Sequence, residues 1–381
     1  MESHVVDGNR LTLLTEGPAR LDALVALIEG ARESLRIIYY IYADDESGRR
    51  VNAALLDAAA RGVRVALIVD GFGSDAAARQ HFFDPLAAAG ISVHWFMPRF
   101  GRRYLLRNHQ KLALADEARI LIGGFNIANA YFAADDAEAW RDLGLLVEGP
   151  AAAWIARYFD ALDTWVGTPP WRTRRLSRVL ARWSETEGAV RWLIGGPTRR
   201  LSPWARAMRH DMRTARRIDV IAGYFIPSPL VLRRMDRAGR RGDEVRIVTA
   251  ARSDNNATIA AARFTYRGLL KRGVRIFEYQ PSKLHTKLYA IDDAVHVGSA
   301  NFDMRSLFIN MELMLRIEDA GFAAYVRRYI DGEVARSTEI TPEAWRAATG
   351  WWQRVKQLAA YLVVGVLDPA FSRGLNFGID E

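Results

Sequence analysis

Two distant segments carry the same residues suited to chemistry on a phosphate ester. In the later segment, LHTKLYAIDDAVHVGSAN, the spacing H-x-K-x-x-x-x-D is followed by glycine, serine and asparagine. The earlier segment repeats this spacing 176 residues before it. One such match is a weak signal, whereas two matches with similar tails indicate a duplicated functional unit. The residues concerned are His109, Lys111, Asp116 and Asn126 in the first segment, and His285, Lys287, Asp292, Ser299 and Asn301 in the second.

The spacing predicts that imidazole and ammonium groups act together. In a strand, residues two apart project to the same face, so His285 and Lys287 should meet one ligand. Two histidines can divide phosphoryl transfer, since one attacks phosphorus while the other protonates the departing alcohol. Lysine and asparagine side chains then stabilise the charge on the non-bridging oxygens. This chemistry requires no metal and no other cofactor, and we predict none.

Lysine usage supports the same interpretation. Only five of the 53 Lys and Arg residues are lysines, and two of them, Lys111 and Lys287, stand two positions after the paired histidines. A chain that otherwise prefers arginine has lysine where a compact ammonium would meet a phosphate.

Together these residues resemble the paired HKD motifs of the phospholipase D superfamily, over roughly residues 9 to 335. The resemblance implies an α/β fold of two similar repeats, each a mixed sheet flanked by helices. The repeats would pack about a pseudo-twofold axis, with the active site and a phosphohistidine intermediate between them. Strings such as YIYADDESGRRV and GSANFDMRSLFINME are most similar to bacterial cardiolipin synthases of the class without N-terminal transmembrane helices.

The resemblance also implies a role for each candidate residue. His109 is expected to be the nucleophile and His285 the general acid, then base. Asn126, Ser299 and Asn301 are expected to bind the substrate phosphate. Later carboxylates orient the histidines in this family, and here they match Asp142 and Glu312. Although Asp116 and Asp292 belong to the motif and count among the catalytic candidates, we expect them to brace the fold.

The implied reaction is phosphatidyl transfer between phospholipids. Phosphatidylglycerol, with or without phosphatidylethanolamine, is the expected substrate, and an anionic membrane surface is the expected partner. Three alternatives stay open at this point: a phospholipase D hydrolase, a nucleic-acid phosphodiesterase, and a basic membrane-binding scaffold without activity. The motifs do not indicate an oligomeric state.

Composition sets broad limits on these functions. The chain has 381 residues, of which 50% are hydrophobic and 25% charged, as expected for a globular protein with sizeable cores. It contains no cysteine, which excludes disulfides and thiolate chemistry. Its net charge of +9 favours anionic partners, of which nucleic acid is the less favoured. No signal peptide is apparent, and we predict a peripheral protein on the cytoplasmic side of the bacterial cell membrane.

Four segments are predicted along the chain: a first half (1–166), a basic Trp/Arg/Pro linker (167–192), a second half (193–340) and an apolar, basic C-terminal helix and tail (341–381). Arginines 99, 102, 103 and 107 form a basic approach to the first motif, and a helix is predicted to open at Asn126. The run LAAYLVVGVL after Trp351 and Trp352 is too short to span a bilayer but suits its interface. Strands are predicted at 9–14, 35–43, 63–69, 91–96, 111–114, 119–122, 141–148, 218–225, 245–250 and 274–279.

Overall fold

Two eight-stranded sheets form the framework of the protein, which we describe from a computed structural model. The description covers residues 2–96, 106–134, 136–169, 171–197, 201–227 and 229–367. Arg99, Arg102 and Arg103 of the predicted basic approach therefore lie outside the described residues, as does the tail after residue 367.

The strands follow the apolar runs of the sequence. Central runs such as LRIIY and VALIV are rich in β-branched residues and largely apolar on both faces, as buried parallel strands require. The strands are β1 Ser3–Val6, β2 Asn9–Leu14, β3 Ser34–Tyr39, β4 Arg64–Asp70, β5 Ser92–Phe96, β6 Leu112–Ala115, β7 Arg119–Gly123, β8 Trp140–Arg141, β9 Gly144–Glu148, β10 Val190–Gly195, β11 Arg217–Ala222, β12 Glu244–Ala250, β13 Arg275–Tyr279, β14 Lys283–Leu284, β15 Lys287–Ile291, β16 Ala294–Gly298, β17 Glu312–Glu318 and β18 Ser337–Glu339.

Helices connect the parallel strands and cover the sheets. Several begin at a side-chain cap or at an early proline, as at Asp45 and Ser202. The helices are α1 Gly17–Glu29, α2 Glu46–Ala60, α3 Asp75–Arg79, α4 Asp84–Ala88, α5 Asn129–Phe132, α6 Pro150–Val166, α7 Thr173–Trp183, α8 Pro203–Asp211, α9 Pro229–Arg241, α10 Asn256–Leu270, α11 Met304–Phe308, α12 Ala320–Ala335, α13 Pro342–Ala348 and α14 Trp351–Leu362, which continues as the π-helical segment Val363–Leu367.

The two sheets repeat one topology. The first has the order β1-β2-β9-β7-β6-β3-β4-β5 and the second β10-β17-β16-β15-β11-β12-β13-β18. Seven strands correspond one to one between them, with β3, β4 and β5 parallel in the first and β11, β12 and β13 parallel in the second. The strands that carry the motifs, β6 and β15, occupy equivalent antiparallel positions beside β3 and β11. The fold is thus the predicted α/β pair of mixed-sheet repeats.

The halves share a core and are joined by backbone hydrogen bonds. The largest buried cluster combines residues of both sheets with helices α6 and α12. A short parallel ladder joins β14 to β8, and an isolated parallel bridge joins Asn108 to Met311. These two contacts are related by the internal repeat, so they place the segments before both motifs at one interface.

The structure corrects two local predictions. Helix α5 starts at Asn129 and has only four residues, so it supplies no helix N-terminus at Asn126. The strand predicted over 141–148 is divided into β8 and β9, which belong to different sheets. The predicted 167–192 linker contains helix α7 and the first residues of β10. Among the described helices, none is both long and apolar enough to cross a bilayer.

Candidate active site

The two motif histidines lie at the interface between the halves, each just before its motif strand. The His109 N–H donates to the carbonyl of Met311 at 2.9 Å, and the His285 N–H donates to the carbonyl of Arg141 at 2.8 Å. Each histidine backbone is therefore held by the opposite half. Both side chains are buried, with 9% of His109 and 4% of His285 exposed.

Each imidazole is also oriented by a carboxylate from the opposite half. His109 Nδ1 lies 3.0 Å from Glu312 Oε2 and 3.1 Å from Oε1. His285 Nδ1 lies 2.6 Å from Asp142 Oδ2. Contacts at Nδ1 leave Nε2 of each ring as the atom available for nucleophilic or acid–base chemistry. The predicted orienting residues are thus placed beside the histidines, with the pairs crossed between halves.

A network of small residues fixes these carboxylates. The hydroxyl of Ser306 donates to Glu312 Oε1 at 2.8 Å, and that of Ser299 donates to Oε2 at 2.5 Å. Ser299 also accepts from the Leu313 N–H at 3.0 Å, so its hydroxyl is occupied by the protein. On the other side, a Cβ at Gly124 would lie 2.6 Å from Asp142 Oδ1. The difference between the two motif tails, glycine against serine, thus follows from the carboxylate that each one faces.

The two motif lysines are buried and point their ammonium groups back at the motif. Lys111 Nζ donates to the His109 carbonyl at 2.7 Å, and Lys287 Nζ donates to the His285 carbonyl. Each of these lysines also interacts electrostatically with both imidazoles. The two motifs therefore form one electrostatic site with both lysines at its centre, where burial lowers the pKa of Lys111 well below its ordinary value.

Burial and these charges set the protonation of the imidazoles. Burial, assisted by Lys111 and Lys287, lowers the pKa of His109 well below its ordinary value. Burial and Lys287 lower the pKa of His285 to about 3. Burial also lowers the pKa of Lys287 to about 8. Both imidazoles are consequently neutral near pH 7 in the ligand-free site.

The two carboxylates differ in charge. Burial raises the pKa of Glu312 to about 8, so this group holds a proton near neutrality. Burial also acts to raise the pKa of Asp142, but the charge of Lys287 and the hydrogen bond from His285 outweigh it and the net shift is downward. The pair of Glu312 and His109 therefore stores a proton, whereas Asp142 is ionised beside His285. This asymmetry cannot be read from the near-identical motifs.

The two predicted phosphate-binding asparagines differ in the hydrogen-bond partners of their side-chain amides. Asn126 Oδ1 accepts from the Ile41 N–H at 3.1 Å, and its Nδ2 donates to the Tyr131 hydroxyl at 2.9 Å. Asn301 is buried, and its Oδ1 has no hydrogen-bond partner in the described chain. Within the described chain, the protein thus occupies Oδ1 of Asn126 but not Oδ1 of Asn301.

The structure separates Asp116 and Asp292 from this network. Asp116 follows β6 and accepts backbone N–H groups of residues 32–34 at 2.8 to 3.2 Å. Asp292 follows β15 and accepts the N–H groups of Arg216 and Arg217 at 3.0 and 2.9 Å. Both carboxylates thus accept hydrogen bonds from the start of a neighbouring parallel strand, and a bracing role for them stays a prediction.

Aromatic rings enclose the imidazoles, and sequence reasoning assigned them no role. Tyr40 lies edge-on to His109 with a centroid distance of 5.2 Å. Tyr131 and Trp140 each lie 5.2 Å from His285, and Tyr224 lies 6.0 Å from it. The string YIYADDESGRRV, which contains Tyr40, is part of the resemblance and is the available signal for that ring. Ser306, inside FDMRS, was missed in the same way.

A cavity of about 520 Å³ opens onto this site and reaches His109 and Asn301. At its wall, Arg107 contacts the buried Asp70 through Nη1 and Oδ1 at 3.1 Å, so one arginine of the predicted basic approach does reach the site. The volume of the cavity suits a phospholipid head group rather than a whole lipid. Its lining combines cationic, acidic and apolar side chains: Tyr40, Phe72, Arg107, His109, Tyr224, Ile226, Asp254, Asn255, Thr258, Asn301, Asp303, Arg305, Asn310 and Val364.

Comparison with known proteins places this geometry in context. A family model described as "Cardiolipin synthase, PLD-like domain" matches residues 24–163 and 208–333, one segment in each half. Cardiolipin synthase A of Pseudomonas aeruginosa is 31% identical over 359 residues, covering 92% of this chain and 71% of the relative. Cardiolipin synthase A of Pseudomonas putida is 33% identical over 344 residues, covering 88% and 70%.

Two solved structures share the fold at low sequence identity. Phosphatidylserine synthase of Haemophilus influenzae superposes with a TM-score of 0.74 at 13% identity, over 94% of this chain and 95% of that one. Polyphosphate kinase of Porphyromonas gingivalis superposes with a TM-score of 0.61 at 16% identity, over 92% and 53%. At these identities the similarity concerns the arrangement of the two halves and not the substrate.

Proposed function

The chain belongs to the phospholipase D superfamily as a phosphatidyltransferase, and we propose that it acts as a cardiolipin synthase that transfers a phosphatidyl group between phospholipids through a phosphohistidine. One observation carries the proposal: two buried imidazoles at one interface, each held at Nδ1 by a carboxylate from the opposite half. Such a pair can divide attack and protonation between its two Nε2 atoms. The sequence identity to cardiolipin synthases supports the choice of phospholipids as substrates.

In the first step, the lone pair of His109 Nε2 forms a bond to phosphorus as the bond from phosphorus to the head-group oxygen breaks. His285 takes up a proton from solvent when the anionic phosphodiester binds, and the departing oxygen takes this proton from His285 Nε2. In the second step, His285 removes the proton from a hydroxyl of the acceptor phospholipid, and that oxygen displaces His109 from phosphorus. With phosphatidylglycerol as donor and acceptor, the products are cardiolipin and glycerol.

The two buried lysines stabilise the transferring phosphoryl group in this proposal. The ammonium groups of Lys111 and Lys287 act on both imidazoles, so they also surround a phosphorus placed between the rings. A bound phosphodiester brings a negative charge that opposes the effect of these cations and raises the pKa of a neighbouring imidazole. The proton needed by the leaving alcohol is therefore favoured once substrate is present. Asn301 supplies a further amide for the phosphate oxygens.

Access to the cavity supports His109 as the nucleophile. His109 lines the cavity, whereas His285 is surrounded by the rings of Tyr131, Trp140 and Tyr224. The charge asymmetry favours the reverse order, since ionised Asp142 leaves a lone pair on His285 Nε2 and the Glu312 pair stores the proton. Mapping the phosphorylated peptide decides between the two orders.

Apolar side chains near the cavity favour an alcohol acceptor over water. Phe72, Ile226 and Val364 line the same cavity as His109, and they disfavour bulk water around a phosphohistidine. A lipid acceptor also fits a protein at the cytoplasmic face of the bacterial cell membrane, where we place this one as a peripheral protein. Phosphatidylethanolamine is the second donor that the site would accept.

The test is an assay of lipid products. Purified protein is incubated with labelled phosphatidylglycerol, with and without phosphatidylethanolamine, and the lipids are separated. Labelled cardiolipin as the main product supports the proposal. Phosphatidic acid as the main product would identify a hydrolase instead, and cleavage of single-stranded nucleic acid without lipid turnover would identify a phosphodiesterase.

A further inference from the structure

The exposed apolar side chains of this protein are concentrated on one C-terminal helix. Ten large hydrophobic residues of the described chain are exposed, and eight of them lie on α14 and its π-helical continuation. A ninth, Phe72, lines the catalytic cavity, and the tenth is Val5 on β1. We call the eight residues the apolar stripe: Trp351, Trp352, Val355, Leu358, Leu362, Val363, Val366 and Leu367.

The stripe faces away from the protein. Its members recur every three or four residues, so they share one side of the helix. The opposite side packs on α10, where Tyr361 lies 5.0 Å from Phe264 between ring centroids and donates from its hydroxyl to the Pro227 carbonyl at 3.2 Å. The Tyr361 side of the helix packs against the protein, so the orientation of the helix is fixed. The stripe on the other side is therefore an exposed apolar surface.

The flanks of the stripe carry positive charge. Residues 350–367 contain Arg354 and Lys356 but no acidic residue. The Lys356 ammonium lies 5.8 Å from the centre of the Trp352 ring, so cation and tryptophan stand together. Tryptophan and basic residues beside an apolar face are typical of helices that lie in the interface of an anionic bilayer.

The segment that carries the stripe also borders the catalytic cavity. Val364 belongs to the same π-helical segment and lines the cavity together with His109. Next to it, a Cβ at Gly365 would lie 3.0 Å from Ile226, another cavity residue. A cavity of about 520 Å³ holds a head group, so the acyl chains of a bound lipid must leave it. Val364 thus connects the wall of the cavity to the helical segment that carries the stripe.

We infer that the apolar stripe seats the enzyme on an anionic phospholipid bilayer, with the mouth of the catalytic cavity turned towards the lipid. The identity of the reacting lipid rests on the proposed function, whereas binding to the bilayer can be measured without any turnover. The stripe thus acts as a docking element that lets a head group reach His109 while its acyl chains stay in an apolar environment.

The test compares Leu362→Gln and the double variant Leu358→Gln/Leu362→Gln with Val5→Gln. Both Leu362→Gln and Val5→Gln remove an exposed apolar side chain without adding charge, but Val5 lies outside the stripe. Binding is measured by sedimentation with sucrose-loaded vesicles of phosphatidylglycerol and phosphatidylcholine. Turnover is measured on the same vesicles and on monomeric short-chain phosphatidylglycerol.

Leu362→Gln should lower the partition coefficient of the protein onto vesicles by roughly tenfold, because one leucine is removed from the bilayer interface. The double variant should lower this coefficient further. Val5→Gln should bind as the unsubstituted protein does. Turnover on vesicles should fall in parallel with binding, while turnover on the short-chain lipid stays unchanged.

Two results would overturn the inference. The first is equal vesicle binding by the double variant and the unsubstituted protein, or no binding by either. The second is a dimer that dissociates in the double variant, since the stripe would then be covered by a second copy. Protein that binds vesicles through the stripe but makes no cardiolipin would instead overturn the proposed function and leave the docking surface intact.

Discussion

His109 and Glu312 lie 203 positions apart, yet the imidazole Nδ1 is 3.0 Å from the carboxylate of the opposite half. His285 and Asp142 repeat this relationship across 143 positions. Neither half therefore contains a complete histidine–carboxylate pair. The site exists because two similar halves exchange one orienting side chain each.

The crossed pairs predict the effect of neutralising one carboxylate. Asp142→Asn should lower kcat by a factor on the order of 10² to 10⁴, because the amide no longer fixes the tautomer of His285. Cardiolipin formation from labelled phosphatidylglycerol measures this. Asp293→Asn, at an exposed carboxylate, is the control and should leave kcat unchanged. A kcat for Asp142→Asn close to that of the control would remove the orienting role.

The two histidines should differ in the intermediate that their variants form. His109→Ala should abolish turnover together with any acid-labile phosphoryl adduct, because the attacking nitrogen is lost. His285→Ala should retain a slow adduct, since attack remains possible without the acid. Rapid quenching with labelled lipid and peptide mapping detects the adduct. An adduct on His285 in the unsubstituted protein would reverse the assignment, and turnover by the double variant would end the phosphohistidine proposal.

The pKa shifts predict the pH profile of kcat/KM. Lys287, with its pKa lowered to about 8, is charged below that pH and neutral above it, so kcat/KM should fall as pH rises through about 8. His109, the attacking group, has a pKa lowered well below its ordinary value and stays unprotonated in mild acid, so kcat/KM should not decline with a midpoint near the ordinary imidazole value of 6.5 as pH falls. Short-chain phosphatidylglycerol is the substrate. Lys271→Gln, at an exposed lysine, should not change the profile.

Asp292 should act on stability rather than on chemistry. Asp292→Asn weakens the hydrogen bonds from the Arg216 and Arg217 N–H groups, which should lower the free energy of unfolding by about 1–2 kcal/mol. Asparagine also tolerates the φ of 47° at this position, so the backbone is not strained. Denaturant unfolding measures the loss. A large fall in kcat with an unchanged free energy of unfolding would show that Asp292 takes part in catalysis instead.

Gly124 should be required for the close approach of Asp142 and Lys287. A Cβ there would lie 2.6 Å from Asp142 Oδ1 and 2.8 Å from Lys287 Cδ, so Gly124→Ala must displace one of them. A displacement of about 1 Å costs on the order of 10² in rate. Steady-state assays of cardiolipin formation measure the loss. Gly268→Ala, where a Cβ meets nothing within 4 Å, should keep full activity.

Local patterns were sufficient for much of the fold. The apolar runs correctly placed most parallel strands, such as β4 and β12, to within a residue or two, because a buried strand needs a continuous apolar stretch. The same reasoning failed over 141–148, where one apparent strand is divided between two sheets. Strand partners depend on how the halves pack, and hydrophobic periodicity carries no record of that packing.

The sequence by itself determined the duplicated motif, the candidate histidines and lysines, and the family. Only the tertiary structure decided that Glu312 serves His109 and Asp142 serves His285, because both contacts cross the interface between the halves. It also gave near-identical motifs different electrostatics, with a proton stored at Glu312 and an ionised Asp142. Burial and neighbouring charge determine these states, and both arise from packing between residues far apart in the chain.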